Sequence, residues 1–173
     1  MLEFVRKHFK ELNIKPGDKI VVYPKISSFG IAKKKFVSEL LDTIIKYIGL
    51  DGTIIMPSYT FEKNKKFIFN PKILKKNYST SPLVQEFFKI KEIKRSIRPI
   101  HSHIGIGKEI GFLNNKNNFD SFGNFSDFNF FLKNNFKSIF LGSSPNDSAT
   151  YLINLEYLMN VSYRKKIKII KKI

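Results

Sequence analysis

Residues 19–57 read KIVVYPKISSFGIAKKKFVSELLDTIIKYIGLDGTIIMP, and this stretch decides the fold. Two short apolar runs, residues 20–22 and 54–56, are closed by Pro24 and Pro57, a pattern typical of buried strands. Between them, apolar side chains recur at helical spacing up to residue 48. A strand, a helix and a second strand in this order predict a β-α-β unit with parallel pairing and a right-handed crossover.

Outside this stretch the same patterns extend the fold. We predict helices over residues 2–12, 81–90, 107–113, 126–132 and about 147–159, a third strand over 137–141, and irregular structure over 62–80. Residues 163–173 alternate Lys and Ile, which fits either a strand or a frayed end. The expected fold is a three-layer α/β/α sandwich with a central, largely parallel or mixed sheet, in a single domain over residues 1–173.

The composition of the sequence excludes several kinds of protein and of functional site. The 173 residues include no cysteine, so a disulfide framework and a cysteine nucleophile are excluded. Because no signal-peptide pattern and no run of roughly 18 apolar residues occurs, we expect a cytoplasmic protein without a membrane segment. The formal net charge of +17 attracts polyanions such as nucleic acid or the phosphates of a nucleotide. A lysine-rich surface without any specific polyanion partner explains the same charge.

Ligands of open parallel sheets bind beyond the carboxyl ends of the strands. The segments just past the two predicted strands are residues 25–30 and 58–61, so these are the first places to look for a site. Lys94, Arg95 and Arg98 form a cationic cluster that suits a phosphorylated ligand, since Arg matches phosphate oxygens with two parallel hydrogen bonds. A solvated surface loop explains that cluster equally well.

His101 and His103 are two residues apart and would face the same side of a strand. A metal site is one interpretation, but no neighbouring carboxylate or third His completes a ligand set, and we expect no metal. A general base is the second interpretation, because imidazole titrates near neutral pH. A hydrogen-bonded structural His in a proline-broken loop is the third.

Glu156 lies in the last predicted helix with apolar neighbours in its helical register, so partial burial is expected. A buried carboxylate needs a partner and acts as a base or orients one. The alternative is a residue at the rim, paired with a lysine.

Six segments in order carry a resemblance to one family. They are Gly17 to Gly30, Gly49 to Thr60, Arg95-Ser-Ile-Arg-Pro-Ile-His-Ser102, Ser121-Phe-Gly123 with Ser126 and Phe128, Ile139-Phe-Leu-Gly142 with Thr150 and Glu156, and Asn160-Val-Ser-Tyr-Arg164. Together they resemble the aminoglycoside 3-N-acetyltransferase family. The resemblance implies an α/β/α sandwich that binds coenzyme A beside the first strand and loop, and direct acetyl transfer to an amino group of an amino sugar.

The sequence also departs from the family pattern. The family places its catalytic histidine three residues before the matching glutamate, and here that position is Ile153. Arg98 stands where the Arg-Ser-x-His-Pro motif has its histidine, and Pro82 where a glycine precedes a helix. Because the given sequence stops soon after Arg164, where members of the family continue, we expect the C-terminal part of the family fold to be missing, with 165–173 as a basic tail.

From the residues and the resemblance together, we hypothesise that Glu156 and His101 are catalytic, with His101 or His103 replacing the lost imidazole. The side chains expected to contact coenzyme A are Lys25, Ile26, Ser27, Ser28, Phe29, Arg95, Ser96 and Ser102. The acyl donor would be acetyl-CoA and the acceptor an amino sugar; a homo-oligomer is compatible with this. Two other hypotheses stay open: a degenerate, truncated member with little catalysis, and a basic nucleic-acid-binding module, which lacks a recognised motif.

Overall fold

The computed structural model of the chain describes residues 2–30, 33–61, 68–73, 81–114, 120–148 and 150–165. The strands are β1 (Lys19–Pro24), β2 (Thr53–Pro57), β3 (Lys94–Arg95), β4 (His103–Gly107) and β5 (Lys137–Leu141). The α-helices of the described segments are α1 (Leu2–Glu11), α2 (Lys34–Ile48), α3 (Pro82–Phe87), α4 (Asp127–Lys133), α5 (Pro145–Ser148) and α6 (Thr150–Leu158). Two short 3-10 helices span Ile26–Phe29 and Gly111–Asn114.

The five strands form one mixed sheet in the order β3-β4-β2-β1-β5. β1 pairs in parallel with β2 on one side and with β5 on the other, so the predicted β-α-β unit is confirmed. β4 runs antiparallel to both β2 and β3. The carboxyl ends of β1, β2 and β5 therefore meet the beginning of β4 at one edge of the sheet.

Helices cover both faces of the sheet, as predicted for an α/β/α sandwich. Along β1, Ile20 and Val22 join the core beneath α1, α2 and α3, whereas Val21 and Tyr23 join the core on the opposite face. That second core contains aromatic rings from α4 and from the Gly111–Asn114 turn. The period-two alternation of a strand thus divides its apolar side chains between two layers of helix.

One predicted element is wrong. Residues 107–113 do not form a helix: β4 ends at Gly107, and a 3-10 helix begins at Gly111. Residues 103–107 alternate Ile with His or Gly, and this period-two pattern places Ile104 in the first core. Gly107 has a φ of 117°, and a Cβ there would lie 2.1 Å from the Gly52 carbonyl oxygen. Only glycine fits that close approach.

Other predictions hold with adjustments. Ser126 caps α4 as predicted, because its Oγ accepts from the Asn129 N–H at 3.2 Å. Ser81 precedes α3, but its side chain makes no capping hydrogen bond. The single predicted last helix is described as α5 and α6. Residues 62–67, 74–80 and 166–173, which include most of the predicted irregular segment and tail, lie outside the described residues.

Membrane-spanning dimensions are not reached by any helix in the described ranges, since none combines enough length with enough apolar character.

Candidate functional site

The loops that follow β1 and β5 are in direct contact at the carboxyl edge of the sheet. The Lys25 N–H donates to the Leu141 carbonyl at 2.8 Å, and the Ser143 hydroxyl donates to the Tyr23 carbonyl at 2.7 Å. Gly142 has a φ of 72°, and a Cβ there would lie 2.7 Å from the Lys25 carbonyl oxygen. Parallel pairing of β1 with β5 therefore places the loop after β1, residues 25–30, beside the segment that leads from β5 into α5.

Arg95 lies at the end of β3 and is 8% exposed. All three of its guanidinium nitrogens donate hydrogen bonds, at distances from 2.7 to 3.2 Å. The acceptors are the Ser58 hydroxyl and carbonyl, the Thr60 hydroxyl, the Ser102 hydroxyl and the Ile73 carbonyl. The Phe69 ring packs 5.0 Å from the guanidinium carbon. This network, which we call the Arg95 strut, fixes the segment after β2 against the segment before β4.

His101 lies just before β4 in a cage of aromatic rings. The ring centroids nearest to it are Phe122 at 4.9 Å, Tyr59 at 5.1 Å, Phe61 at 5.7 Å and Phe128 at 6.3 Å. The side chain is half-buried, and its Nδ1 has no hydrogen-bond partner among the described residues. Burial, and then the neighbouring His103, lower the pKa of His101 to about 4. The imidazole is therefore neutral at physiological pH and has a lone pair able to accept a proton.

His103 begins β4 and is fully buried on the α4 side of the sheet. Its Nδ1 lies 2.9 Å from Oδ2 of Asp127, the first residue of α4. The Arg98 Nε donates to the other carboxylate oxygen at 2.6 Å. Burial would raise the pKa of Asp127, but the hydrogen bond and charge of His103, the charge of Arg98 and a hydrogen bond from Ser96 hold it below its usual value.

Asp127 is the residue that the sequence analysis missed. It follows the capping Ser126, and in that place an acidic side chain is adequately explained by a helix N-terminus. The signal that points further is its position between Phe125 and Phe128, because a carboxylate in an aromatic run is buried only with a cationic partner. The sequence does not show that this partner is the unusual Arg98, 29 residues earlier.

Glu156 lies on α6 and is part of a separate group. Its two carboxylate oxygens accept from the Tyr163 hydroxyl at 3.0 Å and from the Arg164 Nε at 2.6 Å. The hydrogen bond from Arg164 is the largest influence that lowers the pKa of Glu156. Within the described chain no hydrogen bond joins Glu156 to His101, so the structure does not bring the two proposed catalytic residues into contact. Ile153, one turn earlier, is half-buried.

The side chains expected to contact coenzyme A fall into two groups. Lys25, Ser27, Ser28 and Phe29 are exposed on the 3-10 turn or beside it, whereas Ile26 is buried in the first core. Arg95, Ser96 and Ser102 are buried, with their polar atoms bonded within the protein. The first group is accessible to a ligand, and the second group supports the segments around it.

The chain is similar to a known protein family and to several solved structures. A family model described as aminoglycoside 3-N-acetyltransferase matches residues 25–172. No curated protein sequence matches the chain. Among solved structures, YokD from Bacillus subtilis is similar with a TM-score of 0.79 and 22% identity, over 95% of this chain and 72% of that one.

Two further solved structures carry ligands in their names. AAC-VIa with sisomicin bound has a TM-score of 0.75 and 18% identity, over 90% of this chain and 64% of that one. AAC-IIIb in a binary complex with CoASH has a TM-score of 0.74 and 18% identity, over 87% of this chain and 62% of that one. At these identities the likeness concerns the fold, and the chain spans less than two thirds of the length of both.

Proposed function

The chain belongs to the aminoglycoside 3-N-acetyltransferase family, and on that premise we propose that it transfers the acetyl group of acetyl-CoA to an amino group of an aminoglycoside or a related amino sugar. The observation that carries the proposal is His101, a neutral, half-buried imidazole at the sheet edge where the loops after the parallel strands meet. Because acetyl-CoA is a cytoplasmic metabolite, the proposal places the protein in the cytoplasm.

The chemistry requires an unprotonated amine next to a thioester. The amine nitrogen attacks the thioester carbonyl carbon, a C–N bond forms, and the C–S bond then breaks to release the thiolate of coenzyme A. The nitrogen must lose one proton, and in this proposal His101 accepts it and returns it to the leaving sulfur. Since Nδ1 of His101 is buried, Nε2 is the atom that takes the proton.

The donor thioester is proposed to lie along the turn after β1. Ser27 and Ser28 present hydroxyl groups on an exposed 3-10 turn, and Lys25 adds positive charge beside them. Such groups suit the phosphates and amides of coenzyme A. Arg95, Ser96 and Ser102 contribute to this site as its buried support. Glu156 remains in the proposal as a carboxylate that orients an acceptor, since an ionised side chain attracts the cationic amines of an amino sugar.

The test measures free thiol release from acetyl-CoA with a panel of aminoglycosides and simple amino sugars. His101→Gln should lower kcat by about 10²-fold or more, because general base catalysis typically contributes that much. His8→Gln is the matched control, since His8 is exposed on α1, and it should leave kcat unchanged. Full activity in His101→Gln would remove this residue from the mechanism, and thiol release with none of the acceptors would reject the function.

A second candidate function is binding of acetyl-CoA without efficient transfer. It is favoured by Ile153 at the family's histidine position and by the ion pair that already occupies Glu156. Ile153→His separates the two functions. A gain of thiol release in that variant, from a wild type that binds acetyl-CoA in calorimetry but does not consume it, supports the binding-only alternative. Activity in the wild type, unchanged by the substitution, contradicts it.

A further inference from the structure

A chain of buried polar contacts joins α6 to the loop between β3 and β4. On α6, Oδ1 of Asn154 accepts hydrogen bonds from the Gly123 N–H at 2.7 Å and from the Ser126 hydroxyl at 3.1 Å. Asp127 follows Ser126 along the backbone, and one of its carboxylate oxygens accepts from the Arg98 Nε at 2.6 Å. The four side chains are at most 3% exposed. We call Asn154, Ser126, Asp127 and Arg98 the polar bridge.

The Asp127 end of the polar bridge holds the loop on both sides of His101. Arg98 is three residues before His101 and His103 is two residues after it, and they bind different oxygens of the same carboxylate. The second contact does not depend on whether Nε2 of His103 carries a proton, because Nδ1 donates to the carboxylate in both cases. A displacement of Asp127 would therefore displace the loop that presents His101.

The same segment supplies part of the aromatic surroundings of His101. The Phe122 and Phe128 rings pack 4.9 and 6.3 Å from the imidazole, and they stack on each other at 5.6 Å. Phe122 immediately precedes Gly123, and Phe128 immediately follows Asp127, so the hydrogen bonds of the polar bridge lie between the two rings in the sequence. Apolar packing has no preferred direction, whereas a satisfied buried polar network specifies one arrangement. The polar bridge thus determines where these rings lie relative to α6.

We propose that the polar bridge is a positioning device that holds His101 at a fixed place relative to α6, the helix that carries Glu156. The inference rests on the proposed function, in which His101 accepts the amine proton and Glu156 orients the acceptor. Glu156 is two residues after Asn154, and within the described segments no hydrogen bond joins it to His101. A substrate held between two such residues reacts only if their elements keep their spacing, and a displacement of about 1 Å can cost about 10²-fold in rate.

The polar bridge is not explained by stability alone. Removal of two charges from water offsets much of their mutual attraction, and replacement of a buried ion pair by apolar residues of similar volume is often neutral or stabilising. Apolar surroundings are present here, since Phe128 and Phe131 of α4 belong to the second core. Arg98 also stands where the family motif has a histidine, so the family pattern does not account for its pairing with Asp127. The single geometry that the hydrogen bonds impose is the better explanation.

Two substitutions at Asn154 test the α6 end of the polar bridge. Asn154→Leu keeps the size of the side chain but removes the acceptor, whereas Asn154→Asp keeps an oxygen for both hydrogen bonds. Asn154→Leu should lower kcat for amino-sugar acetylation by about 10²-fold, with the KM for acetyl-CoA within about 3-fold, because the donor is proposed to lie along the turn after β1. Asn154→Asp should keep kcat close to that of the wild type.

Two kinetic outcomes overturn the positioning role. One is a normal kcat in Asn154→Leu beside an inactive His101→Gln, which leaves the proposed base intact. The other is an equal loss of kcat in both Asn154 variants, because the retained oxygen would then have no effect.

A milder pair of variants keeps the test valid if Asn154→Leu does not fold. Ser126→Ala removes one of the two hydrogen bonds to Asn154 and the cap of α4, a loss that a folded protein tolerates. It should lower kcat by a smaller factor than Asn154→Leu. Thr43→Val is the matched control, because it removes a buried hydroxyl from α2, outside the polar bridge, and it should leave kcat unchanged. Equal kcat values in these two variants overturn the positioning role.

A measurement on His101 itself does not depend on activity. Aromatic rings change the local magnetic field, so Phe122 and Phe128 shift the NMR signal of the His101 Cε1–H group, which is assigned by its loss in His101→Gln. In Asn154→Leu, or in Ser126→Ala, this signal should move, while that of the exposed His8 stays in place. An unmoved His101 signal overturns the positioning role whether or not an acceptor is found. A moved signal in a protein that releases no thiol rejects the proposed function and not the polar bridge.

Discussion

The Arg95 strut and the histidine cage, by which we mean His101 and His103 with the aromatic rings around them, are two clusters of buried polar groups at the same sheet edge. They differ in how completely their hydrogen bonds are satisfied. All three guanidinium nitrogens of Arg95 donate to acceptors of the protein. His101 and His103 each leave one nitrogen without a partner among the described residues. Satisfied groups stabilise a structure, whereas unsatisfied ones remain available to a ligand or a proton. The comparison separates the residues that shape the edge from those that can react there.

The largest expected effect concerns the strut. Arg95→Met removes the donors and leaves the hydroxyls of Ser58 and Ser102 with fewer partners in a dry environment. We expect the free energy of unfolding to fall by about 3–5 kcal/mol, as when one member of a buried polar network is deleted. Urea denaturation followed by circular dichroism measures it.

Lys94→Met is the matched control, because Lys94 is the exposed neighbour on the same two-residue strand. It should change the unfolding free energy by less than about 0.5 kcal/mol. Equal effects of the two substitutions would mean that the hydrogen bonds of Arg95 contribute little to the free energy of unfolding. The Arg95 strut would then not be a stabilising cluster.

An intermediate effect is expected from the pH dependence of the cage. Burial, and then the nearby His103, lower the pKa of folded His101 to about 4, below the value near 6.5 of an unfolded histidine. As pH falls, the unfolded chain binds the proton first, so this contribution to stability is complete above about pH 6.5 and is lost toward pH 4. Between pH 7.5 and 5 the loss should be about 2 kcal/mol.

Urea denaturation of the wild type and of His101→Gln at both pH values measures this difference. The variant should lose less stability than the wild type over the same interval, because groups common to both proteins cancel in the comparison. If the free energy of unfolding changed equally with pH in both proteins, the folded protein would not resist protonation of His101. The histidine cage would then not differ from the Arg95 strut in this respect.

The smallest effect is expected at Glu156. This carboxylate is held by Arg164 near the surface, and exposed ion pairs contribute little to stability. Glu156→Gln should leave the urea midpoint unchanged at 0.5 M NaCl, a test condition in which the pair is screened. A large drop in thiol release with an unchanged midpoint would support its proposed role with the acceptor. A lowered midpoint would instead show that Glu156 stabilises the fold, as the groups of the Arg95 strut do.

The sequence predicts the elements whose contacts are local and periodic. The strand-helix-strand unit around α2 follows from apolar spacing alone, and the third strand follows from a compact apolar run. β4 was missed because its alternation uses glycines, which carry no side chain to indicate a buried face. The contacts near His101, the proposed base, join residues that are distant in the sequence. The Asp127 side chain contacts His103, 24 residues earlier, and Arg98, 29 residues earlier. No pattern within either segment contains that information.

The placement of β1 between β2 and β5 also has a consequence for synthesis of the protein. β1 obtains β2 as a neighbour after about thirty residues, but its other side pairs with residues that follow more than a hundred positions later, as in the pairing of Tyr23 with Phe140. While the ribosome is still producing the intervening segments, one row of β1 backbone hydrogen-bonding groups is uncovered. An uncovered apolar strand is a template for association between nascent chains. Expression at low temperature or with a chaperone that shields such strands should therefore raise the yield of folded protein.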